Sequence, residues 1–189
     1  MSRFLSVAVL AVCFLFLVAG CALQTRDLSS RTFMVPEGSR VEVLRAITVP
    51  PGRTRVFLQA GRPGGGTGQY YPSCNFEVRD LKEDEAQTIE PGVFRVTRVH
   101  RAPFVEVVQR APLRLASLGL AMGDGDSDGS DTMVTRTVHM ELASEAQPNV
   151  SRLTCRGGFA DPFDADYPSI EEIRQALGDW ARIELPGGA

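Results

Sequence analysis

The chain is poor in the residue types on which enzymes build reactive centres. It carries two histidines, His100 and His139, and four cysteines in 189 residues, with no G-x-S-x-G, H-E-x-x-H or C-x-x-C anywhere. Of its 20 basic residues only Lys82 is a lysine; the rest are arginines, scattered without forming a patch. With a formal net charge of −3, that scatter excludes nucleic-acid binding and a polybasic membrane-surface role, both of which need concentrated positive charge. Long apolar runs are scarce too. The longest, from Phe4 to Val18, falls short of the roughly 20 residues that span a bilayer comfortably.

What is present at the N-terminus is a secretory layout: one basic residue, Arg3, a short apolar core, then small residues. The run closes on Val18-Ala19-Gly20-Cys21. Small side chains at Ala19 and Gly20 let an extended backbone enter a narrow peptidase cleft, and the thiol behind them can be alkylated. The competing reading is a plain signal peptide, or an uncleaved anchor extended through Leu23, with an accidental cysteine. The motif resembles the lipobox of bacterial lipoprotein precursors. That resemblance implies diacylglyceryl modification of Cys21, cleavage between Gly20 and Cys21 by lipoprotein-processing enzymes, and a permanent acyl anchor in the membrane. Ala22, where inner-membrane members often carry Asp, implies the outer membrane with the protein facing the periplasm.

Residues 1–20 are then a signal peptide, 21–32 a lipidated N-terminus and flexible polar tether, and 33–189 a single domain long enough for a proper core. The cysteine count follows from this division. Cys13 leaves with the signal and Cys21 is acylated, so Cys74 and Cys155 remain, and in an oxidising compartment they are expected to form a disulfide. Each lies on the apolar parity of its segment: Cys74, Phe76 and Val78 alternate with polar residues, as do Leu153 and Cys155.

The rest of the domain reads as short strands between turn signals. Val41, Val43, Ile47 and Val49 share one parity, interrupted by Arg45, up to Pro50-Pro51-Gly52. Thr54, Val56 and Leu58 alternate up to Gly61, and an acidic turn is expected at 81–85. A β-rich stretch follows Glu90-Pro91-Gly92, from Val93 to Gln109 with a break near Ala102-Pro103, and 113–122 is ambiguous between strand and helix. Val134, Val138, Met140 and Leu142 form another alternation, with Arg136 discordant. One helix is marked near the C-terminus. Ser169 and Glu172 make a capping box, Ile170, Ile173 and Leu177 a stripe, and Gly178 a stop. Two turns cannot stand alone, so the stripe is expected to pack on the sheet. The predicted fold is mainly β, an antiparallel sandwich or small barrel with one short C-terminal helix packed on it.

Candidate sites are few. Asp124, Asp126 and Asp128, followed by Gly129, match the start of a calcium loop, but its twelfth position is Thr135 where a bidentate Glu is required, so the 124–131 segment reads first as a solvated hairpin loop. No other cofactor is indicated. The glycine-rich stretch 61–68 lacks a G-K-[ST] ending and reads as an inter-strand loop, while Tyr70-Tyr71-Pro72 beside it offers a binding edge or simple packing. Arg45 and Arg136 are expected to lie where strands curl or to snorkel outward; the alternative pairs them with Glu42 or Glu141, or reserves them for an anion. His139 lies on the polar parity of its strand and His100 between Val99 and Arg101.

Across 22–189, the segments C-N-F-E-V-R-D-L, I-E-P-G-V-F-R-V and L-T-C-R-G with the closing helix resemble uncharacterised lipoproteins of Gram-negative bacteria. The leading expectation is a structural or binding module of the cell envelope, not an enzyme, whose partners are the membrane and an envelope protein. A calcium-dependent binding module and a tethered hydrolase around His100 or His139 are the alternatives.

Overall fold

The computed structural model describes residues 30, 32–64, 68–102, 106–109 and 132–187, with side chains of 106–109 and 132 left out of account. The fold is mainly β. Among the described residues there are twelve strands and one helix: β1 Arg40–Val43, β2 Ile47–Val49, β3 Arg53–Gln59, β4 Arg62–Pro63, β5 Ser73–Lys82, β6 Gln87–Ile89, β7 Gly92–Arg101, β8 Glu106–Gln109, β9 Thr132–Thr135, β10 Thr137–Ala143, β11 Val150–Arg156, α1 Ile170–Leu177 and β12 Ala181–Glu184. Eight strands form one sheet in the order β12-β1-β7-β10-β11-β5-β3-β4, every pair antiparallel, curled into a half-barrel. Two-stranded sheets β2-β6 and β8-β9 lie beside it.

The period-2 alternation sets the two faces of the main sheet. Val56 opposes Phe76, Phe76 opposes Leu153, and Leu153 opposes Met140, an inward row whose members are buried. Each such side chain contributes roughly 1.5–3 kcal/mol by leaving water. The register is kept inward by bulges. Glu141 faces Arg98 and Leu142 faces Val96, so Thr97 has no opposite residue. Its hydroxyl donates to the Glu141 carbonyl at 3.3 Å. The extra residue lets both Val96 and Val99 point to the core although they are three apart.

On the other face the adjacent row, one residue along each strand, carries charge. Arg55, Glu77, Arg152, Glu141 and Arg98 follow one another across β3, β5, β11, β10 and β7. Arg55 lies 3.2 Å from Glu77, and Arg152 lies 3.8 Å from Glu77 and 3.6 Å from Glu141. Such partly exposed pairs contribute little singly, but opposite signs at each step favour this register over its neighbours.

The helix has the expected cap. Ser169 Oγ accepts from Glu172 N at 3.2 Å, and the Glu172 carboxylate accepts from Ser169 N at 2.8 Å. Ile170, Ile173, Ala176 and Leu177 are buried, and α1 packs on β3, β5 and β12. Its last turn is locked to the β3-β4 hairpin: Gly61 N donates to the Ala176 carbonyl at 3.2 Å, and a Cβ on Gly178 would overlap Gly61 Cα. Gly178 also holds φ +54°, a conformation that disfavours a side chain.

Three sequence expectations are corrected. Val41 to Val49 is not one strand: β1 and β2 belong to different sheets, and the chain leaves the first at Leu44, whose N–H donates to the Trp180 carbonyl at 2.8 Å. Val134 to Leu142 likewise divides into β9 and β10, with Arg136 at the break. Leu81 and Lys82 extend β5, which narrows the acidic turn to Glu83-Asp84-Glu85. The expected C-terminal helix is present, and one further short strand, β12, follows it and pairs with β1. The ambiguous segment 113–122 lies outside the described residues.

Gly178→Ala is predicted to destabilise the domain by about 1–3 kcal/mol, since the added methyl meets backbone that cannot rotate away. Urea unfolding followed by circular dichroism measures this, with a lowered midpoint and unchanged slope as the expected result.

Candidate functional site

Cys74 on β5 and Cys155 on β11 are directly opposed, joined by a disulfide with a Cα–Cα distance of 4.0 Å and no appreciable exposure. Linking residues 81 apart contributes about 4–5 kcal/mol on a chain-entropy account. Its position has a second effect. The loop Gln69-Tyr70-Tyr71-Pro72 leads into β5 just before Cys74, and Gly157-Gly158-Phe159 leaves β11 just after Cys155. The bridge therefore staples the roots of two loops.

Those loops touch through backbone. Phe159 N donates to the Gln69 carbonyl at 3.0 Å. A Cβ on Gly158 would overlap the Tyr70 carbonyl oxygen, and one on Gly157 would overlap the Asp166 carbonyl oxygen, so glycine is required at both. Gln59, only 3% exposed, braces the tyrosine loop from β3, its Nε2 donating to the Gly68 carbonyl at 3.0 Å and the Tyr71 carbonyl at 2.8 Å. Thr135 Oγ1 donates to the Gly157 carbonyl at 2.7 Å from the other side.

Around this braced loop lie two adjoining hollows that share Pro72 and Glu172 in their walls. The first, of about 160 Å³, lies between Tyr71 and α1 and is mostly apolar, closed by Gln59, Ala60, Gln175 and Ala176. The second, of about 190 Å³, combines Tyr70, Phe159 and Tyr167 with the carboxylates of Asp164, Asp166 and Glu172 over the Gly157-Gly158 backbone. Together they form a groove with the tyrosine loop as its central ridge. Tyr70 is 50% and Tyr71 67% exposed. The Glu172 bonds that cap the helix use Oε2 alone, and Oε1 makes no hydrogen bond among the described residues. Ala60, with φ +48°, is the one non-glycine with positive φ among those residues, in the two-residue turn between β3 and β4. Strain of order 1 kcal/mol is thus held in the groove wall.

The discordant arginines resolve without Glu42 or Glu141. Arg45 is exposed, 3.8 Å from Asp179 and stacked 5.7 Å from the Trp180 ring centre. Arg136 turns toward the second loop, donating from Nε to the Ala165 carbonyl at 2.7 Å, with its guanidinium 5.6 Å from the Tyr167 ring centre. Glu42 instead accepts from Arg182 at 2.7 Å, and Glu141 faces Arg152.

His100 and His139 lie directly opposite each other on β7 and β10, on the solvent face, with ring centroids 5.0 Å apart. His139 Nδ1 is 2.9 Å from Thr154 Oγ1. Burial holds its proton affinity below the usual histidine value, and the positive neighbours His100 and Arg152 lower it further against the opposing influence of Glu141 and Glu77. Among the described residues no carboxylate hydrogen-bonds to either ring, and no three His, Cys, Asp or Glu side chains converge as a metal-binding group. Cys21 and the calcium candidates Asp124, Asp126 and Asp128 lie outside the described residues.

Of the sequence candidates, the structure brings together Tyr70, Tyr71 and Pro72 with the disulfide, and His100 with His139. The sequence reading missed the second role of Glu172, the acidic pair Asp164 and Asp166, and the Gly157-Gly158 floor; the G-G pair directly after Cys155-Arg156 was the signal available for the last. Comparison with protein-family models, curated proteins and solved structures returned no match to this chain.

The depressed proton affinity of His139 has a signed consequence. Below pH 6.5 the unfolded chain takes up this proton before the folded one does, so stability present above that pH is lost as the pH falls toward the folded value. Denaturation midpoints compared with His139→Gln are predicted to show a steeper acid loss for the wild type, with the difference between the two becoming constant above pH 7.

Proposed function

We propose that the chain is a periplasm-facing lipoprotein, anchored in the outer membrane through acylated Cys21, that holds an envelope partner in the groove along Tyr70-Tyr71-Pro72. The observation that carries the binding role is the groove itself. Two exposed tyrosines form a ridge between an apolar hollow and an aromatic, acidic one; the disulfide and two hydrogen bonds from Gln59 hold that ridge in place, and a bond from Thr135 braces the Gly157 loop beside it. Tyrosines held in this way offer large contact area at little entropic cost. The matching partner presents an apolar side chain beside a cationic one.

The anchor rests on the lipobox. Each acyl methylene buried contributes roughly 0.8 kcal/mol, so two or three chains hold the protein permanently. The tether joins the domain close to the groove: Arg101 donates to the Thr32 carbonyl at 3.1 Å, and its guanidinium sits 4.2 Å from the ring centre of Tyr167, which lines the acidic hollow. Eleven residues, 22–32, reach at most about 40 Å when extended. The groove therefore works within that distance of the bilayer, where membrane-bound partners are concentrated. In this reading the domain holds its partner and carries out no reaction on it.

A photoreactive residue placed at Tyr71 in cells tests this, with the exposed Asp84 turn as the control position. The expected result is a discrete adduct from position 71, absent from position 84, and lost together with palmitate labelling and membrane association in Cys21→Ser. Equal labelling from both positions, or palmitate incorporation that survives Cys21→Ser, would overturn the proposal.

A further inference from the structure

The only two histidines of the chain, 39 positions apart in sequence, are placed face to face on adjacent strands, on the face of the sheet opposite the buried core. We infer that His100 and His139 form a bidentate site for a divalent transition-metal ion of imidazole preference, with water completing its shell.

The spacing carries the argument. A zinc ion lies about 2.0–2.1 Å from an imidazole nitrogen, hence about 3.2 Å from the ring centre, and two such rings at a tetrahedral angle stand about 5.2 Å apart. The observed separation is 5.0 Å. Both residues belong to the central part of an eight-stranded sheet, so the backbone brings the rings together in advance of any ion.

The surroundings suit a neutral, oriented ligand pair. Thr154, opposite His139 on β11, lies 2.9 Å from Nδ1. With Nδ1–H donating to that hydroxyl, Nε2 keeps its lone pair for a metal, as outer partners of ligating histidines commonly arrange. Arg152, whose charge reaches His139, is shared between Glu77 and Glu141 in the charge row, and Arg98 two residues from His100 faces Glu141, which offsets their repulsion of an incoming ion. Two rings this close also repel each other when both are protonated, and a shared metal replaces that repulsion with two bonds. Imidazole ligands favour zinc, copper and nickel over magnesium or calcium. The site is separate from the groove and stands whether or not the groove holds a partner.

The test is titration of the full chain in detergent with Zn²⁺ alone, by calorimetry and by NMR of the histidine rings. Zinc avoids the strong affinity of amino termini for copper. The expected result is one equivalent bound at neutral pH, with both ring spectra perturbed and binding lost on acidification as the imidazoles protonate. His100→Ala and His139→Ala should each weaken binding at least tenfold, while circular dichroism confirms that both variants fold. No binding at millimolar Zn²⁺, or binding unchanged in both variants, would overturn the inference; the latter outcome would direct attention to the aspartates of 124–131.

Discussion

The pairing of β5 with β11, welded at Cys74–Cys155, is the constraint from which the rest of the described domain follows. It joins strands that sit side by side near the middle of the sheet although their bridged residues are 81 apart in sequence, so one covalent bond closes a long-range part of the topology. Its sulfurs occupy the inward parity, in line with Leu58 on β3 and Val138 on β10. Pinning that row pins every other row, because slipping either strand by one residue would turn Phe76 and Leu153 to water. The charge row from Arg55 to Arg98 on the opposite face is in register for the same reason.

That constraint also links fold to site. A disulfide in the middle of two strands would stabilise and do no more. This one sits at their ends, where β5 begins and β11 finishes, and the residues immediately beyond it are the ones that meet: the Tyr70 carbonyl against Gly158, and the Gln69 carbonyl accepting from Phe159. Close backbone approach demands a fixed register to within fractions of an ångström, which packing alone seldom imposes on loops. The groove is therefore tied to the sheet, and its helix wall is joined to it through Glu172 and through the contact of Gly178 with Gly61.

The features legible in the sequence were those with a local period. Alternation around Cys74 and Cys155 announced two inward-facing thiols, and Ser169 with Glu172 announced a helix start, because the capping box lies within four consecutive residues. The breaks at Arg45 and Arg136 were visible as anomalies, but their meaning was not: a residue that leaves parity can mark a strand's end as readily as a buried charge, and only the position of Tyr167 and the Ala165 carbonyl tells which. β12 escaped notice because Ala181-Arg182-Ile183-Glu184 is too short to show a period before Pro186 stops it. The groove escaped for a different reason. It draws on Ala60, Tyr70, Gly158, Asp166 and Glu172, five separate stretches whose neighbourhood exists only once the sheet has closed. The face-to-face histidines are a similar product of register, since parity could assign His139 to the polar face but could not name what stood opposite.

The groove and the histidine pair thus occupy separate places on one scaffold. The groove lies close to Thr32, whose carbonyl accepts from Arg101, while the histidine pair occupies the face of the sheet opposite the buried core. The central claim is that the disulfide orders the groove and not merely the sheet. Hydrogen–deuterium exchange of the oxidised and the reduced protein tests this directly. The account predicts that reduction accelerates exchange in 68–72 and 157–167 while the amides pairing β7 with β10 stay protected. Unchanged protection in those two loops, or a uniform loss over the whole sheet, would contradict it.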